Sequence, residues 1–144
     1  MMVLLAGSLL VVLVDHAFKF LVLHRLGTES ISLGPIGSVR GVQTQIWIAR
    51  APCALKFAML WTLWILAALA LTLVTTLVPA SGWFCALLLG GSLSHAVESS
   101  LRGSICDYIC LRFWAAFNFA DLAITAGALG LVANLVRAIT HAVA

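Results

Sequence analysis

Long apolar runs dominate this chain, and its polar residues gather in the gaps between them. A bilayer core of about 30 Å takes roughly 20 apolar residues as helix. Four segments meet or approach that length: about Met2 to Leu23, Ala54 to Val78, Trp83 to Ser99, and Phe119 to Ile139. The second is the cleanest, with Pro52 just before it and Pro79 just after it punctuating both ends. The third becomes less apolar towards its end. Only Pro79-Ala80-Ser81-Gly82 separates the second from the third, a tight turn that makes them antiparallel neighbours. The pattern predicts an all-α membrane protein of four transmembrane helices, one integral membrane domain over residues 1–144.

Two longer connections remain, and with four spans both fall on the same side. One runs from His24 to Pro52 and contains "SLGPIGSVRG", rich in turn formers. It is followed by "VQTQIWI", which alternates like a short strand. The other runs from about Ser100 to Asn118 and includes "SICDYICLRFW". Its apolar residues predict a segment lying at the membrane interface, with Tyr108, Phe113 and Trp114 at headgroup depth. These connections hold Arg25, Arg40, Arg50, Arg102 and Arg112. The excess of basic residues on cytoplasmic loops would, taken alone, place them in the cytoplasm.

Composition strengthens the membrane reading. Of the 144 residues, 63% are hydrophobic and 9% charged, against about 25% charged in a soluble domain. Eight Lys and Arg against five Asp and Glu leave a net charge of +3, too weak and dispersed for a nucleic-acid footprint. The first apolar stretch lacks a basic leading region and is interrupted by Asp15, His16 and Lys19, so it reads as a retained span and not a cleaved leader. The four cysteines, Cys53, Cys85, Cys106 and Cys110, form no C-x-x-C pair. They read first as small buried hydrophobes, with a disulfide or metal site as the lesser alternative. Cys106 and Cys110, four apart, would share a face of a helix.

The acidic residues carry the chemistry. Asp15 and Lys19 stand at i and i+4 on one helix face, where pairing lowers the cost of both charges inside a membrane. Asp121 has two readings. With Asn118 as N-cap it would complete a capping box at the start of the fourth helix. With Asp107, fourteen residues earlier, it would form a carboxylate pair if the connection folds back over the bundle. Two close carboxylates cannot both ionise easily, so such a pair offers a base and an acid together. That is the arrangement for activating water against an amide. The alternatives fit less well: His95 is the only intramembrane histidine near a nucleophile, there is no G-x-S-x-G elbow, and there is no H-E-x-x-H. No metal and no cofactor are expected.

The stretch Gly90 to Ile124, "GGSLSHAVESSLRGSICDYICLRFWAAFNFADLAI", resembles signal peptidase II, the lipoprotein signal peptidase family. The family carries a Gly-Gly pair in its third helix, here Gly90-Gly91, and a basic turn with glycine, here Arg102-Gly103. An aspartate follows in a V-x-D-F-like stretch, here Ile105-Cys106-Asp107-Tyr108. Then comes F-N-x-A-D-x-x-I, which Phe117 to Ile124 match. In the first span "VDHAFKFLV" resembles D-Q-x-x-K, with Asp15 and Lys19 in register. The resemblance implies a four-helix inner-membrane aspartyl endopeptidase, a monomer, with Asp107 and Asp121 as catalytic dyad and Asn118 and Ala120 beside it. Gly90 and Gly91 would be the close-packing pair. It further implies cytoplasmic termini and an extracytoplasmic region holding both long connections. The implied substrate is a precursor diacylglycerylated on the cysteine after the cut, its alkyl chains among membrane lipids. The cyclic peptide globomycin would occupy the same groove.

Three positions depart from the family's G-N-x-x-D-R: His95 stands for asparagine, Glu98 for aspartate and Ser99 for arginine. The N-x-G-A-A-F-like motif before the second helix is absent from "TQIWIARAPCALKF". Arg50 or Arg102 would be the replacements for the missing arginine. Three readings follow: the family's peptidase, a peptidase with a changed substrate, and a non-catalytic relative that binds a lipidated or helical membrane partner.

Overall fold

The computed structural model describes residues 1–26, 29–44 and 53–143. Four helices, α1 (Met2–Leu26), α2 (Cys53–Leu77), α3 (Gly82–Arg102) and α4 (Phe119–Val143), are joined by strands β1 (Ile31–Ser32), β2 (Gly37–Thr44) and β3 (Ile105–Leu111). Among the described residues four helices are long and apolar enough to cross a membrane. Their outward faces are apolar, with Leu5, Leu9, Leu13, Leu69 and Leu129 all exposed, as expected of side chains whose solvent is lipid.

The helices outrun the apolar runs that announced them. Helix α1 continues through His24 and Arg25 to Leu26, and α4 through His141 to Val143. Polar residues end the hydrocarbon span without ending the helix, since basic side chains in a last turn suit the helix dipole. Helix α3 reaches Arg102 and stops at Gly103, whose left-handed φ of 70° lets its N–H reach the Ser99 carbonyl at 2.9 Å. Between α2 and α3 the chain turns through a single 3-10 turn, Pro79–Ser81.

Helix α3 is the hub and packs against the other three. Helix α1 gives it one stripe at i+3 and i+4 spacing: Leu4, Gly7, Val11, Asp15, Lys19 and Val22. Gly90 faces α1 and Gly91 faces α4. A Cβ on Gly90 would stand 2.7 Å from the Ser8 carbonyl oxygen, and one on Gly91 2.7 Å from that of Ala120. Both neighbours are backbone and cannot step aside. Gly91→Ala should therefore destabilise the protein by about 1–3 kcal/mol through overpacking, read as a lower midpoint of thermal unfolding in detergent. An unchanged midpoint would mean that α4 packs less tightly than the structure has it.

The sheet, antiparallel in the order β1-β2-β3, joins the two long connections at one end of the bundle. The interfacial segment expected at "SICDYICLRFW" is thus mainly strand β3, with Phe113 and Trp114 exposed beyond it. Its first four residues are buried regardless of parity, because both faces are covered. That removes the alternation by which strands are recognised. The expected strand "VQTQIWI" overlaps β2 only at Val42–Thr44; Gln45 to Ile48, like Arg50 and Pro52, lie outside the described residues. Cys106 and Cys110 share a strand, not a helix. Cys85, Cys106 and Cys110 are free thiols.

Candidate functional site

The site forms where the sheet meets the end of the bundle. Strand β3 carries Asp107 opposite Val42 of β2, and Thr44, two residues on, donates its hydroxyl to Asp107 Oδ2 at 2.7 Å. Phe117 bridges back to Ile109, which folds the connection over and brings Asn118, at the mouth of α4, beneath Asp107. The Asn118 side-chain amide donates to Asp107 Oδ1 at 2.6 Å and to the Cys106 carbonyl at 3.4 Å.

Asn118 binds Asp121 as well. Its backbone N–H donates to Asp121 Oδ2 at 2.9 Å, and the Asp121 N–H donates to Asn118 Oδ1 at 3.1 Å. This is a reciprocal capping box with asparagine and aspartate in the two roles. The capping and paired-carboxylate readings of Asp121 therefore coexist: one buried asparagine caps α4 and links the two aspartates. His95 Nε2, from α3, lies 3.3 Å from Asn118 Oδ1 and 3.5 Å from Asp121 Oδ1.

The two carboxylates sit in unlike surroundings. Asp107 is 5% exposed, whereas the Asp121 side chain is 38% exposed. Burial pushes the Asp107 carboxyl above its ordinary range, the hydroxyl of Thr44 opposes this, and the charge of Asp121 adds to the rise. Beside it, burial raises the Cys106 thiol, leaving little nucleophilic thiolate. Burial also pushes the Tyr108 phenol up to about 12, so its oxygen remains a neutral acceptor for the Phe119 N–H at 3.0 Å.

A carboxyl with a raised folded-state pKa binds its proton more tightly folded than unfolded. Stability then falls as pH rises from the ordinary value near 3.8 through the raised one. Asp107→Asn lacks this titration and can keep both hydrogen bonds, accepting from Asn118 and donating to Thr44. Its unfolding midpoint minus that of the parent protein should grow as pH rises through that window. A difference flat with pH would refute the buried titration.

Beneath the pair lies an ion network. Lys19 Nζ stands 2.7 Å from Asp15 Oδ2 and 2.6 Å from Glu98 Oε2. Asp15 also accepts from the Ser94 hydroxyl at 2.5 Å and the Ala120 N–H at 3.1 Å. Glu98 Oε1 accepts from the Cys106 N–H at 3.2 Å, and Arg102 approaches it at 3.4 Å. The network thus anchors the residue before each aspartate, Cys106 on β3 and Ala120 on α4. The sequence reading did not single out Thr44 or Ser94: a lone hydroxyl announces nothing when its partner is 63 or 79 positions away. Among the described residues no group of three or more His, Cys, Asp or Glu is arranged to hold a metal ion.

The chain is similar to known proteins over nearly its whole length. The family model described as signal peptidase (SPase) II matches residues 8–137. A lipoprotein signal peptidase of Cupriavidus taiwanensis is 30% identical over 149 aligned positions, covering 92% of this chain and 82% of that protein. Another, of Teredinibacter turnerae, is 32% identical over 139 positions, covering 87% and 82%. A solved structure described as a bacterial membrane enzyme shares the fold, with a TM-score of 0.76 at 16% identity over 96% of this chain and 90% of its own. The matched stretch holds most of α1, the Gly-Gly pair of α3, and both site aspartates, and the chain belongs to the signal peptidase II family.

Proposed function

We propose that the chain is an intramembrane aspartyl endopeptidase that removes a signal peptide ahead of a lipid-modified cysteine, with Asp107 and Asp121 as its catalytic pair. The observation that carries this reading is the convergence of the two carboxylates on one buried residue, Asn118, in environments of unlike polarity. One carboxylate must be ionised and the other protonated for acid–base work on an amide, and unequal burial favours that division. The ionised group takes a proton from water as the water oxygen attacks the scissile carbonyl. The protonated group gives its proton to the carbonyl oxygen. As the diol collapses, one hydroxyl returns its proton to the second carboxylate, the C–N bond breaks, and the leaving nitrogen receives the first proton from the first carboxylate.

The family and the setting support this substrate class. The site lies where the ends of the spans meet the sheet, so a peptide carrying alkyl chains can present its backbone there while the chains stay in lipid. The family resemblance supports an extracytoplasmic position for this end. The reading is tested with the purified protein in detergent or liposomes. It should convert a diacylglyceryl-modified precursor to its mature form, leave the unmodified precursor intact, and be inhibited by globomycin.

The changed-substrate reading rests on Ser99, where the family carries arginine. Arg102, one turn further on, directs its guanidinium to Glu98 at 3.4 Å. Cleavage of another lipidated peptide, with the diacylglyceryl precursor left whole, would favour it. Cleavage of neither would favour a binding protein.

A further inference from the structure

We propose that the end of the sheet away from Asp107 binds an anionic phospholipid, with Arg40 and Arg112 on its phosphate and its acyl chains against Ile36, Phe113 and Trp114. The inference goes beyond the peptidase reading and holds whether or not the chain cuts a precursor.

The strand register builds the site. Ser38 of β2 pairs with Cys110 of β3, and Gly37 with Leu111. Between Val39 and Val42 the register shifts, so Arg40 and Gly41 together oppose the single residue Tyr108. A bulge of this kind re-aims a side chain. The Arg112 N–H donates to the Ile36 carbonyl at 3.0 Å and carries the pairing one step past β3. Side chains alternate along a strand, so Cys110 and Arg112 turn to the face opposite Asp107. There Ser38, Arg40 and Arg112 line one cleft. A second cleft shares Pro35, Leu111 and Arg112 with the first and is completed by Ile36, Phe113 and Trp114. Among the described residues lining the two clefts none is acidic. The Arg112 guanidinium carbon lies 5.8 Å from the centroid of the Phe113 ring, so a cation stands at the boundary between the polar cleft and the apolar one.

Charge and setting together name the occupant. Among the described residues no carboxylate lies within ion-pair distance of Arg40 or Arg112. Arginine matches phosphate oxygens with paired N–H donors. The neighbouring cleft calls for alkyl chains: Phe113 and Trp114 are 90% and 73% exposed, and in water they would form an uncovered apolar patch. Lipid is within their reach. Tyr108, on the same face as Cys110, stacks on Phe18 of α1 with ring centroids 6.5 Å apart, and Phe18 is itself an exposed apolar side chain of that span. The face that bears the two arginines thus continues the lipid-facing surface of α1, at a depth suited to tryptophan. The same contact accounts for an oddity of the sequence. Arginines in these connections count against an extracytoplasmic position when read as loop charge. Lipid phosphate occurs on both faces of the bilayer and gives Arg40 and Arg112 a partner on either.

The test places the full chain in phosphatidylcholine vesicles that contain a minor share of lipid brominated on its acyl chains, which quenches tryptophan on contact. The Trp114 signal is isolated by subtracting the emission of Trp114→Phe. Each arginine near an anionic surface adds about a fivefold preference. Trp114 should therefore be half-quenched at a mole fraction of brominated phosphatidylglycerol about tenfold lower than of brominated phosphatidylcholine, salt screening having taken part of the gain. Arg40→Gln and Arg112→Gln should each lower that preference about fivefold, and the double variant should not distinguish the two lipids. Both side chains are exposed, so the variants should keep the parent's thermal midpoint.

Equal quenching by the two lipids in the parent protein overturns the proposal, as does quenching by neither, which would put Trp114 outside the bilayer. A preference that survives in the double variant removes the arginines from the site. Inorganic phosphate should weaken the preference no more than sodium chloride of the same ionic strength. A greater loss would make the cleft a site for a soluble anion and not for a lipid headgroup, and that too overturns the proposal.

Discussion

Asp107→Asn and Asp121→Asn should each reduce conversion of a diacylglyceryl-modified precursor by about a thousandfold or more, while the protein stays folded in detergent. General acid or base catalysis by one positioned group supplies about 10²–10⁴ in rate, and asparagine can neither take nor give the proton. The substitutions are mild structurally. At position 107 both hydrogen bonds survive, with Thr44 turned to accept. At position 121 an amide oxygen can still accept from the Asn118 N–H, so the cap of α4 is kept. In the proposed mechanism the two carboxylates act on one substrate as a unit, so the double variant should be little slower than either single one. Conversion is read as the shift of precursor to mature form on a gel, with the unmodified precursor as control. Globomycin binding should persist in both variants, because it depends on the groove and not on proton transfer. A variant that keeps a tenth of the parent rate would remove its aspartate from the chemistry. Loss of binding together with loss of cleavage would trace the defect to folding.

Much of this arrangement could be read from the chain, and the parts that could not share a physical cause. Spans are visible because lipid imposes a length and an apolar composition on a local stretch. The pair Asp15–Lys19 is visible because i and i+4 fix proximity on a helix, and the Asn118–Asp121 box because a cap is a four-residue pattern. Signals of this kind need no knowledge of the tertiary fold. Glu98 is different. It stood out only as a departure from the family's aspartate, yet it is the second carboxylate on Lys19, 79 positions away. Its extra methylene still reaches that partner. Thr44 stayed hidden for the same reason, since its value depends on the register of β2 against β3. Strand β3 was hidden because burial on both faces erased its alternation. His95 was noticed as an oddity, but only the fold shows that both atoms facing its Nε2 are acceptors.

Lys19→Met should prevent the protein from reaching a stable fold. Lys19 is 2% exposed, and its two partners, Asp15 and Glu98, are 0% and 2% exposed. Methionine would fill much of the same space, but it would leave two buried carboxylates facing each other without a cation. Removing one partner from a buried ion pair typically costs about 3–5 kcal/mol, out of a total stability of about 5–15 kcal/mol. The damage would not stay local, since Asp15 holds the Ala120 N–H and Glu98 the Cys106 N–H, each next to a site aspartate. The expected signs are a broad, aggregated profile in size exclusion and no cooperative thermal transition. Asp15→Asn, Lys19→Met and Glu98→Gln combined remove all three charges and leave neutral groups able to meet the Ser94 hydroxyl and both backbone donors. Replacing an entire buried ion cluster by neutral residues is often close to neutral for stability. The triple variant should therefore recover a transition within a few degrees of the parent, and with it cleavage, since the proposed mechanism gives none of the three residues a part in the chemistry. Recovery of the fold without cleavage would move Asp15 or Glu98 into the chemistry. A Lys19→Met variant as stable as the parent would show that the two carboxylates are not held against a common cation.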